Sequence, residues 1–295
     1  MYRDELLLNE LAVYVKQLRN KYQYTQEQLA ELAGVDQRQI TRLETSKNWP
    51  QVNKLEMILK PLETNADAVY QEIAKIRIQF DNQIKRVNDL IFNVQWDEAA
   101  LITDGVAESF SNYQHIAYYL QGILFLKASM LHRLSWEESV SIYIEALKVT
   151  QESLLLGQVS EQKIVAVSKL ETSVLAELEY CIMRQIATGL GCLGNHTHAI
   201  EICQALLGSF ENPAVSRDIK KLLAASICAS IAWLYSELSD TKRANYYISQ
   251  GIAYCNETGN TRSLEYLKNL ELKLRNSVSS IGRLILLHRA KKPLA

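Results

Sequence analysis

The sequence has little of what breaks or staples a chain: 4 prolines, 11 glycines and 5 phenylalanines among 295 residues. That scarcity excludes collagen-like and low-complexity chains, and an apolar content of 48% excludes a disordered one. Cysteine is sparse and odd in number, at Cys181, Cys192, Cys203, Cys228 and Cys255, with no Cys-x-x-Cys pair. Neither a disulfide framework nor a thiolate metal site follows from such spacing, and small buried side chains are expected. No charge of one sign dominates, because 32 Lys plus Arg face 33 Asp plus Glu for a net charge of -1. Any nucleic-acid surface must therefore be local. Long apolar runs are missing too: the tract from Leu222 to Tyr235 is interrupted by Ser226 and Ser230 and falls short of the roughly 20 residues a spanning helix needs. It is expected to be a buried helix, with no membrane partner. The start, MYRDELLLNE, puts acids where a secretory signal needs a basic end and an apolar stretch, so a cytoplasmic protein is expected.

Catalytic signatures are missing as well. There is no Gly-rich phosphate loop, no HExxH and no serine in a nucleophile elbow. His196 and His198 are two apart and lack a third ligand, while His115, His132 and His288 are isolated. The expectation is a protein that is not an enzyme and takes no cofactor or metal.

What is present is apolar residues at helical spacing along nearly the whole chain, with Gly and Pro mostly between the periodic stretches. The reading is all-α, and the length favours two domains. Residues 1–66 read as short helices with tight turns, residues 67–92 as a connecting helix, and residues 93–295 as longer helices in pairs. In the first zone Leu7, Leu11, Val15 and Leu18 form one stripe. Thr25-Gln26-Glu27-Gln28 has the form of a capping box that starts a second helix, which stops at Ala33-Gly34. Asp36 can cap a third helix whose inward residues are Val35, Ile40 and Leu43. Its outer side carries Gln37, Arg38, Thr41 and Arg42 at i, i+1, i+4 and i+5. Trp49-Pro50 closes the next loop before the stripe Leu55, Ile58, Leu59 and Leu62. From Lys16 to Lys54 seven basic residues face four acids, a local excess of three in a nearly neutral chain.

The run TQEQLAELAGVDQRQITRLETSKNWPQVNKLEMIL, Thr25 to Leu59, resembles the helix-turn-helix domain of the lambda-repressor-like, Xre-type regulators. The resemblance implies double-stranded DNA as a partner, Gln26 as a phosphate contact, and Gln37, Arg38 and Arg42, with Thr41 beside them, as readers of base edges. The chemistry agrees, because Arg can bond a guanine edge bidentately, Gln can bond an adenine edge, and helix-start amides favour phosphate. One such domain makes few phosphate contacts, so a homodimer is expected.

In the second zone Leu193-Gly194-Asn195-His196-Thr197-His198-Ala199-Ile200 looks like the turn and second-helix start of a tetratricopeptide repeat. Its counterparts are Leu238-Ser239-Asp240-Thr241-Lys242-Arg243-Ala244 and, more weakly, Trp96-Asp97-Glu98-Ala99 and Trp136-Glu137-Glu138-Ser139. The anchors Ala99, Ser139, Ala199 and Ala244 are spaced 40, 60 and 45 residues apart, longer and less regular than a standard array. The wide interval is expected to hold lengthened helices from Ser153 to Leu193, and Ser277 to Arg289 a capping or dimer-forming helix. By analogy with ligand-facing repeat positions, the inward candidates are Asn88, Gln121, Arg184, Thr188, Trp233 and Glu237. Trp233 lies in the most apolar tract, so core packing is its competing role.

A repressor-type head followed by degenerate tetratricopeptide-like helices resembles the peptide-responsive Rgg/PlcR/PrgX group of regulators from Gram-positive bacteria and their phages. That resemblance implies a helical solenoid that dimerises and binds a short signalling peptide in its concave groove, in the manner of quorum sensing. The alternative is a DNA-tethered scaffold, or a phage-type repressor, whose repeat domain binds a partner protein.

Overall fold

The computed structural model describes residues 2–156, 164–170 and 175–290, apart from the side chains of residues 2–4, 92 and 277–290. Helices α1 (Tyr2–Lys21), α2 (Gln26–Ala33), α3 (Gln37–Glu44), α4 (Val52–Leu59), α5 (Ala66–Phe92), α6 (Trp96–Ser109) and α7 (Ala117–Leu131) come first. They are followed by α8 (Trp136–Gln151), α9 (Val167–Leu170), α10 (Glu177–Cys192), α11 (His196–Ser209), α12 (Arg217–Glu237), α13 (Thr241–Thr258) and α14 (Thr261–Ala290). The fold is all-α, and no strand occurs among the described residues, only an isolated antiparallel bridge between Leu155 and Val165. The chain forms two compact units, Met1–Met130 and Leu131–Ala295.

In the first unit, apolar stripes of five helices close one core: Leu11 and Val15, Leu29, Ala30 and Ala33, Ile40 and Leu43, Leu55, Ile58 and Leu59, then Leu62, Val69 and Ile73. The head's core therefore includes the first turns of α5 rather than ending at its start. Farther along, Phe80 is fully buried and meets Phe110 at 4.9 Å and Tyr119 at 4.8 Å between ring centroids. Gly122 of α7 lets that ring approach, because a Cβ there would stand 2.5 Å from Phe80 Cζ.

The second unit is built from antiparallel pairs, α10 with α11 and α12 with α13, continued by α14. Ala99, Ser139, Ala199 and Ala244 are all fully buried, each the fourth residue of its helix. Three of the preceding turns share one geometry. Val94, Gly194 and Ser239 have positive φ, and the next amide turns back to the helix just ended: Gln95 to Leu90, Asn195 to Leu190, Asp240 to Tyr235, at 2.8 to 2.9 Å. The fourth, before α8, lacks the left-handed residue. Among the described residues α12 is the helix long and apolar enough, by length and composition, to cross a membrane, but Leu223, Ile227, Ile231 and Leu234 are buried within the unit.

Among its described residues the interval from Ser153 to Leu193 does not hold lengthened helices. A 3-10 turn (Glu152–Leu154), the bridge, the four-residue α9 and then α10 occupy its described residues. Ile164 and Val165 are buried with extended backbone, and their amides donate to His198 Nε2 at 3.3 and 3.4 Å, while His198 Nδ1 lies 3.2 Å from Glu201. That imidazole acceptor replaces helical carbonyl partners. The backbone of α14 runs through Ser277 to Arg289, but the side chains on which a capping or dimer role rests lie outside the described residues.

Candidate nucleic-acid interface and repeat face

The geometry of the head begins with its caps. Thr25 Oγ1 accepts from the Gln28 amide at 3.1 Å, and Gln28 Oε1 accepts from the Thr25 amide at 2.8 Å, so the capping box starts α2. Gly34, at φ 64°, ends it in the left-handed conformation. Asp36 Oδ1 then accepts from the Arg38 amide at 2.7 Å and starts α3 only three residues beyond α2. This short turn sets α3 across α2, with Ile40 and Leu43 buried on one side. On the other, Gln37, Arg38, Thr41 and Arg42 are exposed. Among the described residues neither Arg38 nor Arg42 has an ion-pair partner, so both guanidinium forks are available.

Gln26 stands at the junction of the two helices. Its Nε2 donates to Glu44 Oε2 at 2.7 Å, and its Oε1 accepts from the Thr41 hydroxyl at 3.0 Å; that hydroxyl also lies 3.2 Å from the Gln37 carbonyl. Glu44 is itself held by a forked pair, Arg19 Nε at 2.7 Å and Nη2 at 2.9 Å, and Arg19 Nη1 donates to the Tyr24 carbonyl at 2.7 Å. The hydrogen bond to Glu44 raises the Arg19 pKa further, against the lowering effect of burial. One Gln26 amide proton remains for an outside acceptor at the α2 start, which suits a phosphate. Thr41 acts on Gln26 besides lying on the exposed face. Because Arg19 and Glu44 neutralise each other, six basic residues and three acids remain, so the local excess of three persists.

Sequence reading missed the Arg19–Glu44 pair. The available signal was that Arg19 follows Val15 by four residues and so lies against the apolar stripe of α1.

In the second unit, α10, α12 and α14 lie side by side. Arg184 and Thr188 are half-buried on α10, Cys192 is exposed four residues on, and α12 contributes half-buried Trp233 and exposed Glu237. These residues converge. Tyr266 of α14 is raised in pKa by burial and by Glu237 and Cys192, with Arg184 opposing, and a Cβ on Gly191 would meet the Trp233 ring at 2.9 Å. Trp233 thus packs on Gly191 while still contributing to the face. The Thr188 hydroxyl donates to the Arg184 carbonyl at 3.0 Å. Tyr266 and Cys192 belong to this face and were not foreseen, because the register of α14 was not fixed by any repeat motif. In the first unit Asn88 is half-buried on α5, and Gln121 is buried on α7 at 4% exposure, which takes Gln121 off any open face. Burial pushes the thiols of Cys181, Cys203 and Cys228 up to about 11, 12 and 12, so they stay protonated and unreactive at neutral pH.

Residues 15–69 match the helix-turn-helix family, and that segment is a helix-turn-helix domain. The whole chain is similar to the structure of PlcR from Bacillus thuringiensis in complex with the peptide PapR7 and DNA, at 16% identity and a TM-score of 0.47, over 96% of this chain and 98% of that one. It is also similar to ComR from S. thermophilus in complex with DNA and its signalling peptide ComS, at 12% identity and TM-score 0.40, over 89% and 99%. A third similar structure is the apo form of the competence regulator ComR from Streptococcus vestibularis, at 15% identity and TM-score 0.37, over 93% and 99%. No curated protein matches the chain in sequence.

Proposed function

We propose that this protein is a cytoplasmic, non-enzymatic, homodimeric transcription regulator that binds a specific double-stranded DNA operator and is controlled by a short signalling peptide. The observation that carries the DNA half is the capped α3 with Gln37, Arg38, Thr41 and Arg42 exposed, beside a Gln26 held in place by Glu44 and Thr41. Phosphate contacts from the α2 start would set register, and the arginine forks would read base edges. A dimer would present two recognition helices about 34 to 36 Å apart, one turn of duplex, to successive major grooves.

The peptide half takes its form from the family resemblance and finds support in the α10/α12/α14 face. Arg184 offers a fork for a carboxylate, Thr188 and Glu237 offer hydrogen bonds, and Trp233 and Tyr266 offer aromatic area. A peptide that binds one arrangement of the helices better than another shifts the equilibrium between DNA-competent and incompetent forms. Native mass spectrometry of the protein isolated from its host tests this. A bound mass of a few residues is expected, whereas a stoichiometric protein partner in its place would overturn the peptide reading in favour of a DNA-tethered scaffold.

A further inference from the structure

Glu10 is a carboxylate in full burial on α1, with no exposure at all. Charge is expensive to bury, and such a group persists only where both oxygens are paired. Here Arg77 of α5 donates Nε to Oε1 at 3.1 Å and Nη2 to Oε2, and the fully buried Tyr119 of α7 donates its hydroxyl to Oε1 at 2.8 Å. Two turns along the same face of α1, Gln17 Oε1 accepts from the Tyr113 hydroxyl at 3.2 Å. The adjoining face carries Leu11 and Val15 into the head's core. α1 thus has two sides, one built into the DNA-binding head and one fixed by polar bonds to α5, α7 and the turn before α7. The head is attached a second time through α5, whose Val69 and Ile73 belong to its core.

An apolar contact at this place would hold α1 as strongly, because a buried ion pair gives little stability over a well-packed hydrophobic pair. What the fork adds is direction: a guanidinium and a carboxylate meet in one plane and one register. We propose that Glu10 and Arg77 are positioning residues for DNA recognition, which lock the head in a single orientation on α5–α7. The recognition helix α3 then inherits its orientation from the helices that follow it, and a change received by α5–α7 turns α3 instead of dissipating in a slack linker. The geometry stands by itself, and its consequence at DNA rests on the regulator reading above.

Two measurements on the full chain test the proposal. Spin labels at Glu31→Cys on α2 and Asp104→Cys on α6, in a Cys192→Ser background, report the distance between head and α6. A single narrow distribution is expected, and loss of that narrow peak in the apolar pair Glu10→Leu with Arg77→Met, which keeps the packing; should that pair fail to fold, Glu10→Gln replaces it. The second measurement uses duplexes selected from random DNA with the parent protein and then varied in half-site spacing. The parent should accept one spacing, and the decoupled variant should keep its half-site preference while losing discrimination between spacings. A role in stability alone would lower binding to all spacings together. A narrow distance and intact spacing discrimination in the variant, or a broad distance in the parent, would overturn the proposal. If the parent selects no DNA sequence, the regulator reading fails, and the distance measurement still decides the lock.

Discussion

Replacing Glu44 by alanine removes the carboxylate that joins α1, the start of α2 and α3. Its side chain is 2% exposed and that of Arg19 11%, and its carboxylate accepts from Arg19 at 2.7 and 2.9 Å and from Gln26 at 2.7 Å. Without it the Arg19 guanidinium keeps only the Tyr24 carbonyl. Breaking one side of a buried pair costs about 3 to 5 kcal/mol. The small opening at Arg19 admits some water, which places Glu44→Ala at the lower end, about 3 kcal/mol. Glu44→Gln retains the shape and one acceptor and should lose about 1.5 kcal/mol, the lower range for a hydrogen bond to a charged group. The double change Arg19→Met with Glu44→Leu removes both charges and should recover most of the loss. Native-state hydrogen exchange over residues 26–44 reads the local opening free energy. A Glu44→Ala loss below about 0.5 kcal/mol, the range of ordinary surface substitutions, or a double variant no better than the single one, would refute the pair as the organising element. Because the Arg19 pKa is raised by its hydrogen bond to Glu44, the pair's guanidinium side contributes fully through the acid, neutral and mildly alkaline range and is lost only at strongly alkaline pH. Neutral-pH buffers therefore need no correction for it.

Arg38→Ala and Arg42→Ala should each weaken operator binding by about 1 to 3 kcal/mol and relax preference at one base pair. Their side chains are exposed, so thermal melting should not move; unchanged footprints in both variants would dismiss α3 as the reader. Arg184→Ala should weaken binding of the cognate peptide by about 1.5 to 3 kcal/mol by calorimetry, with amidation of the peptide's carboxyl end weakening the parent alike; equal affinity for free and amidated peptide would exclude a carboxylate clamp. Tyr113 is pushed up to about 12, first by burial and then by Glu10 and Tyr14, so its contribution is complete below the ordinary tyrosine value of 10.0 and fades as pH rises toward 12. Alkaline unfolding followed by circular dichroism should lose a component between those values in Tyr113→Phe. Finally, Gly105→Ala on α6, where an added Cβ meets nothing within 4 Å, should stabilise by about 0.5 to 1 kcal/mol. Gly122→Ala should cost about 1 to 3 kcal/mol because its Cβ would sit 2.5 Å from the enclosed Phe80 ring, and urea titration compares the two.

The head was legible because local chemistry alone dictates its turns. A Thr with a Gln three residues later, a Gly after Ala33 and an Asp before Gln37 each satisfy named backbone groups, so the helix boundaries and the outward residues of α3 follow without knowledge of any distant contact. The repeat unit was legible at its small anchors: Ala199 and Ala244 follow a local turn motif and are fully buried one turn into α11 and α13. The segment after α8 was not, since its conformation depends on His198, more than thirty residues away in sequence, taking the amides of Ile164 and Val165.

The charged residues buried along α1 mark the limit of periodicity as a guide. Glu10 precedes Leu11, and Arg19 follows Leu18, so each reads as the polar edge of an amphipathic helix. In the fold Glu10 is fully enclosed, and Arg19 is 9% exposed, because α1 has no solvent edge at those places: α3 and the turn before α2 cover one, α5 and α7 the other. A stripe pattern shows which residues seek an apolar neighbour, but it does not reveal which charges will be given a partner by another helix. Those partners are Glu44 for Arg19 and Arg77 for Glu10, and each lies on an element whose own pattern carries no sign of the match. The two pairs thereby do on α1 what neither stripe does alone: one joins α1 to α3, and the other ties it to α5 and α7.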